Sequence, residues 1–279
     1  MRVGVLNSWL ADRYLPFWAS YLQALEVEVV RPQEISVNLP VPAPIRRVLS
    51  QVFSLKSQGI DFLLLPDVQL GVEAHRGNPS PWLVDLGATL ERLVPGLPPT
   101  LVVPAELSPE VAGLAAKIGQ LLTQNPMLAR RALERTKHQL NSSFTPPKQS
   151  GVHLVGVVAQ PMLLSDTDWL NNLRAGLAEY GLHLFLADKA PSELRQEGSA
   201  LELGLELPTD LEAAGMHRYL SRLGKVKGLL YVHDPEYLPL PNPLRKLLKK
   251  SEPPKPWRVA GLEAPWPQVA AELAQGLRP

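Results

Sequence analysis

The chain has 279 residues, of which 45% are hydrophobic and 20% are charged, and its formal net charge is +1. This composition is typical of a soluble globular protein. The small net charge provides no field that would favour nucleic acid or an anionic membrane surface. The chain has no cysteine, which excludes disulfides, thiolate zinc sites, cysteine nucleophiles and cysteine-ligated iron–sulfur clusters.

The sequence shows no segment typical of a membrane span or of a targeting signal. No apolar run approaches the ~18 residues that a membrane-spanning helix needs, and the N-terminal strand lacks the layout of a signal peptide. We therefore expect a cytoplasmic protein with no membrane or nucleic-acid partner. The six histidines show no metal-ligand spacing, so we expect no metal and no cofactor. The 29 prolines, about twice the usual share, suggest a thermophilic source.

The first half of the chain alternates strands and helices. It begins with an apolar strand at Arg2, a helix over 14–25 and a strand over 27–30. A helix over 45–58 and a buried strand over 60–65, ended by Pro66, follow. The pattern then predicts a helix over 82–93, a strand over 100–103, a helix capped by Ser108 and a helix over 126–141.

The second half repeats this opening. It has a strand over 151–158, a polar turn, a helix over 169–180 and a strand over 182–186. After a polar connection over 191–199, with one helical turn, come a helix over 209–223, a buried strand over 226–232, a short basic helix, and a last strand and helix. The repeat predicts two similar Rossmann-like α/β domains, over 1–145 and 151–279, joined by a linker at 146–150. Each is expected to be a mainly parallel sheet flanked by helices, with a cleft between the domains.

Ligands of open parallel sheets bind beyond the carboxyl ends of the strands. Polar and aromatic residues follow several of these ends and are our candidates for lining the cleft: Asn7, Trp9, Asp67, Gln69, Ser80, Trp82, Gln160, Asp166, His233 and Asp234. Each has a structural alternative. Asp166 is a natural helix cap, and His233-Asp234 is either an acid–base pair or an ordinary turn. Trp9 and Trp82 would line the cleft or a partner surface, whereas Phe17 and Tyr21 fit a core.

Four segments carry a resemblance to a known family. They are 14–18 (YLPFW), 59–66 (GIDFLLLP), 155–166 (VGVVAQPMLLSD) and 227–232 (KGLLYV). In this order they resemble the acyl-CoA dehydratase activase-related accessory proteins of the 2-hydroxyacyl-CoA dehydratase superfamily. The resemblance implies two Rossmann-like domains that hold an iron–sulfur cluster with cysteines from three loops. It places those cysteines at Pro42, Ser80 and near Tyr237, and places a family histidine at Gln160.

None of these positions offers a thiolate, so the chemistry that depends on the cluster is lost. We therefore expect a non-catalytic binding or accessory protein, with a small-molecule ligand or a protein partner that the sequence does not identify. One alternative is an enzyme with cluster-independent chemistry that uses Gln160, Asp166, His233 and Asp234. Another is a structural partner in a larger assembly.

Overall fold

A computed structural model describes residues 1–35, 37–72, 80–141, 145 and 149–277. It contains two four-stranded sheets in which every pair of neighbouring strands is parallel. Helices separate the strands along the chain and flank the sheets. The predicted fold class, α/β with two Rossmann-like sheets, is confirmed. Among the described residues, no helix is long and apolar enough to cross a membrane.

The first sheet has the strand order β2-β1-β3-β4. Its strands are β1 (Arg2–Val5), β2 (Glu28–Val30), β3 (Phe62–Asp67) and β4 (Thr100–Pro104). The helices of this half are α1 (Ala11–Ala24), α2 (Ala43–Ser57), α3 (Pro81–Val84), α4 (Leu86–Leu93), α5 (Val111–Thr123) and α6 (Pro126–Thr136), with a 3-10 helix over Lys137–Asn141.

The second sheet has the strand order β6-β5-β7-β8. Its strands are β5 (Leu154–Val158), β6 (His183–Phe185), β7 (Val226–Val232) and β8 (Trp257–Ala260). The helices are α7 (Pro161–Leu164), α8 (Thr167–Ala178), α9 (Pro191–Ser199), α10 (Pro208–Arg222), α11 (Asn242–Lys250) and α12 (Trp266–Leu277).

The two sheets have the same strand order. In each, the first strand of the half lies second from the edge, with the next strand along the chain on one side and the third on the other. The strands that open the two halves therefore occupy equivalent places in their sheets, in agreement with the repeat seen in the sequence. The burial of both strands agrees with these interior places. Every residue of β5 is buried, and in β1 only Arg2 is partly exposed.

The core of the first half is built on α1. Phe17, Trp18 and Tyr21 are fully buried, as expected for aromatic residues at helical spacing. The rings of Phe17 and Tyr21 stack at 5.8 Å. The Tyr21 hydroxyl donates to the carbonyl oxygen of Ala115 in α5 at 2.7 Å, which satisfies the polar end of a buried ring.

Helices α9 and α10 cross at two glycines. A Cβ built on Gly215 would lie 1.8 Å from the carbonyl oxygen of Leu194, and one built on Gly198 would lie 2.0 Å from that of Leu211. Only glycine permits this backbone approach. The crossing fixes the beginning of α10, which lies next to the candidate site.

Several predicted boundaries were wrong. Pro66 does not end β3, which pairs through Pro66 with Val103 of β4. Proline has no N–H to donate, but this costs little at position 66. An N–H there would face β1, and β1 pairs with β3 only as far as Leu64. The predicted helix over 82–93 is divided at Asp85, whose carboxylate caps α4 by accepting from the Ala88 amide at 2.9 Å.

Three further boundaries also differ. The helix predicted over 126–141 ends at Thr136 and continues as the 3-10 helix. Ser108 does not cap α5, which begins after Glu110. The connection over 191–199 is the nine-residue helix α9, in which Glu193 accepts from the Ala190 amide at 2.9 Å. Capping chemistry thus extends this helix beyond the single turn that its polar sequence predicts.

Contacts divide the chain into two compact units. The first consists of Met1–Val41, Ile45–Gly71 and Val84–Ser143, and the second of Pro42–Pro44, Val72–Leu83 and Phe144–Pro279. The second unit thus contains the second sheet together with two short segments from the first half of the chain. Of the predicted linker 146–150, residues 146–148 lie outside the described residues.

Candidate functional site

Each sheet has one switch point, where the chain leaves the first strand to one side and returns on the other. These points lie between β1 and β3 and between β5 and β7. The carboxyl ends of such a strand pair are the favoured ligand position in open α/β sheets. Most of the predicted site residues fall there: Asn7 and Trp9 follow β1, Asp67 and Gln69 end and follow β3, Gln160 follows β5, and His233 and Asp234 follow β7.

At the first switch point, the loop after β1 is fixed by Gln51 of α2. The Gln51 Oε1 atom accepts from the Asn7 amide at 2.9 Å and from the Ser8 hydroxyl at 3.1 Å. The Asn7 Oδ1 atom accepts from the Arg31 guanidinium at 3.3 Å. These polar groups therefore hold the loop in place.

The sequence predicts that Trp9 lines the cleft or a partner surface. Trp9 is only 2% exposed, so it offers no exposed surface to a partner. Trp9 and Leu10 both have a left-handed backbone, with φ of 59° and 63°. Two successive non-glycine residues in this region are strained, and such strain concentrates at functional sites. Burial of both side chains supplies the packing that holds this conformation.

Asp67 shapes the loop after β3. Its carboxylate accepts from the backbone amides of Gln69 at 2.9 Å and Gly71 at 2.7 Å. Gln69 itself is buried. The carboxylate of Asp67 therefore stabilises a turn, which is a structural role of Asp in loops.

At the second switch point the central side chain is Gln160. It is fully buried, with 0% exposure. Its Nε2 atom donates to Asp210 Oδ1 at 2.9 Å and to the carbonyl oxygen of Pro239 at 2.9 Å. Its Oε1 atom is buried and has no hydrogen-bond partner. Gln160 thus joins the end of β5, the first turn of α10 and the loop after β7.

Asp210 is a site residue that the sequence analysis missed. Burial raises the pKa of its carboxyl group to about 6, although the Gln160 hydrogen bond opposes the shift. Its position in the first turn of α10 is typical of a helix-start acid. Nothing in a single sequence separates such an acid from one in a site, and the contact with Gln160 spans fifty residues.

His233 and Asp234 do not form an acid–base pair. The Asp234 Oδ1 atom accepts from the amides of Glu236 at 2.9 Å and Tyr237 at 2.8 Å, so it stabilises a turn. The Nδ1 atom of His233 is buried without a partner. Burial and the nearby positive charge of Arg245 lower the pKa of His233, against a smaller opposing effect of Asp234.

Asp166 caps α8. Its carboxylate accepts from the Trp169 amide at 3.0 Å, and this is the structural alternative that the sequence offered for it. The Trp169 indole in turn donates to the carbonyl oxygen of Leu262 at 3.2 Å. The cap and this contact fix the beginning of α8.

The positions that the resemblance assigned to cluster ligands lie in the second unit. Ser80 is buried, and its hydroxyl accepts from the Trp82 amide at 3.3 Å. The Trp82 ring, 6% exposed, lies 6.4 Å from the ring of Tyr237. Next to Pro42, the Ala43 amide donates to Glu263 at 2.6 Å. Trp82 therefore contacts both Ser80 and Tyr237, and it packs inside the second unit.

Among the described residues, no group of three His, Asp or Glu side chains could hold a metal ion. No protein-family model matches the chain, and no curated protein matches it significantly. The convergence of the loops of the two sheets on one place stays a prediction. What the geometry brings together is the set Gln160, Asp210 and Pro239 at the second switch point.

Proposed function

We propose that this chain is a non-catalytic small-molecule binding protein whose scaffold is related to the 2-hydroxyacyl-CoA dehydratase superfamily and whose cluster site has been lost. The observation that carries the proposal is the nature of Gln160 at the second switch point. A carboxamide fixed by two hydrogen bonds can bind and orient a ligand. It cannot transfer protons near neutral pH.

Three other carboxylates among the predicted site residues also support binding over catalysis. Those of Asp67, Asp166 and Asp234 all accept hydrogen bonds from backbone amides. These bonds give each of the three carboxylates a structural role in a turn or a helix cap. This arrangement disfavours the enzyme alternative, in which Asp166 and Asp234 take part in the chemistry.

The chemical half of the proposal is tested by anaerobic reconstitution. The purified protein is incubated with iron and sulfide, desalted, and assayed for bound iron and for conversion of a 2-hydroxyacyl-CoA to the 2-enoyl-CoA in the presence of a reductant. We expect a colourless protein with no bound iron and no product, because Pro42, Ser80 and Tyr237 supply no thiolate. Stoichiometric iron with charge-transfer absorption near about 400 nm, or formation of the enoyl product, would overturn the proposal.

The binding half is tested with the native protein and a mixture of polar cytosolic metabolites in equilibrium dialysis, with mass spectrometry of the retained compounds. His233→Ala should reduce retention, because His233 lies at the carboxyl end of β7. His183→Ala is the matched control, since His183 begins β6 and therefore lies at the opposite, amino end of the strands. Equal losses in the two variants would show that the carboxyl ends are not the site.

A further inference from the structure

The carboxylate of Asp210 is a negative charge without a counter-charge. Its hydrogen bond comes from the uncharged amide of Gln160 at 2.9 Å, and no cation among the described residues shifts its pKa or pairs with it. The carboxylates of Glu197 and Asp188, in contrast, pair with Lys189 and Lys225. A largely buried carboxylate that lacks a cation is costly unless something compensates its charge.

An acceptor beside Asp210 lacks a donor. Both hydrogens of the Gln160 amide are used, by Asp210 and by Pro239, which fixes the orientation of the carboxamide. Its Oε1 atom is consequently a buried acceptor with no partner. Buried polar atoms are nearly always paired, and each exception calls for a physical reason. A buried acceptor without a donor, Gln160 Oε1, thus lies beside a carboxylate without a cation.

We propose that the carboxyl ends of β5 and β7 bind a ligand through a protonated amine, which donates hydrogen bonds to the Asp210 carboxylate and to Gln160 Oε1. An ammonium group carries three donors and no acceptor, and therefore matches a set made only of acceptors. The Asp210 side chain is partly exposed, so the amine can reach the Asp210 carboxylate from solvent. This inference rests on the proposed binding function and specifies the chemical class of its ligand.

The charges nearby favour a cation at Asp210 over an anion. The guanidinium of Arg245 in α11 acts on His233, and it is not among the groups that shift the pKa of Asp210. Burial and Arg245 lower the pKa of His233, which disfavours a positive charge on the histidine that would repel an amine. An anion would instead meet the carboxylate of Asp210 directly.

The experiment is a titration of the ¹⁵N-labelled full chain with n-butylammonium chloride, followed through the side-chain NH₂ signals of Gln160. Neutral 1-butanol has a similar apolar tail and serves as the ligand control. Asp210→Asn removes the charge and keeps an acceptor for Gln160. Asp188→Asn is the matched protein control, because Asp188 is a carboxylate that already has a lysine, at 3.0 Å.

We expect butylammonium to shift the Gln160 signals in a saturable way and 1-butanol to leave them unchanged. Asp210→Asn should weaken the binding about tenfold or more, as expected for a hydrogen bond to a charged group, while Asp188→Asn stays within about twofold. Gln160 signals that do not move in the native chain, or an Asp210→Asn variant that titrates like it, would overturn the inference. Neither result depends on iron or turnover, so failure here is distinguishable from failure of the proposed function.

Discussion

Asp210→Asn should stabilise the protein, and the gain should depend on pH. The carboxyl group has an ordinary pKa of 3.8, which burial raises to about 6 in the folded chain. Because the folded state binds the proton more tightly, the group favours folding most below pH 3.8, and this contribution is lost as the pH rises through about 6. Asparagine is neutral throughout and can still accept from Gln160.

The magnitude follows from the shift. At about 1.4 kcal/mol per pKa unit, the ionised carboxylate lowers the free energy of unfolding by at most about 3 kcal/mol at pH 7.5 and by roughly half of this at pH 5. Urea denaturation of both proteins at the two pH values measures the difference, with an unchanged m value as the check on the comparison.

Asp188→Asn should behave in the opposite way. Burial acts to raise the pKa of Asp188, but the hydrogen bonds from Tyr219 and Lys225 outweigh it and lower the pKa. Removing this charge should therefore destabilise the protein at pH 7.5 and less so as the pH falls. If Asp210→Asn destabilises the chain at pH 7.5, or changes its stability equally at both pH values, the description of Asp210 as a buried carboxylate without a counter-charge is wrong.

Three further substitutions test the packing around the site. Gly215→Ala should cost more than about 3 kcal/mol in urea denaturation, because the added Cβ would meet a backbone carbonyl at 1.8 Å; Gly113→Ala, with nothing within 4 Å, is the control and should be neutral or stabilising by about 0.5–1 kcal/mol. Gln160→Ala should cost about 1–3 kcal/mol, since it leaves two partly buried acceptors without their donor, and an unchanged melting temperature would contradict the role of Gln160 as a bridge. Asp166→Ala should lower stability by about 1 kcal/mol through loss of the α8 cap, and a neutral result in thermal denaturation would mean that the cap contributes nothing.

The topology could be predicted because it follows from local sequence patterns and because the two halves of the chain show the same pattern. Continuous apolar strands, such as the one containing Leu63 and Leu64, alternate with amphipathic helices, such as the one containing Phe17 and Tyr21, and parallel crossovers then permit few arrangements. Pro66 was misinterpreted because its place in the strand depends on which neighbour its N–H would face. That neighbour, and the point where its pairing ends, are tertiary facts.

The positions of the candidate residues could be predicted from the sequence, but their hydrogen-bond partners could not. The rule for strand ends located Gln160 and His233 correctly beside the second switch point. The complete burial of the Gln160 side chain could not be inferred from its position in a loop. Asp210 was missed because its contact with Gln160 joins segments fifty residues apart. In the sequence, an acid that belongs to a site cannot be told from one that only stabilises the beginning of a helix.

The central claim, binding without chemistry, is tested most directly by following the mass of a retained metabolite. The native protein is dialysed against a mixture of polar metabolites, and the retained fraction is analysed by mass spectrometry at once and after several hours. The account predicts a compound that carries a primary amine, retained with its mass unchanged by the native protein and lost in Asp210→Asn. A retained compound whose mass changes with time would show catalysis, and no retained compound would contradict binding itself.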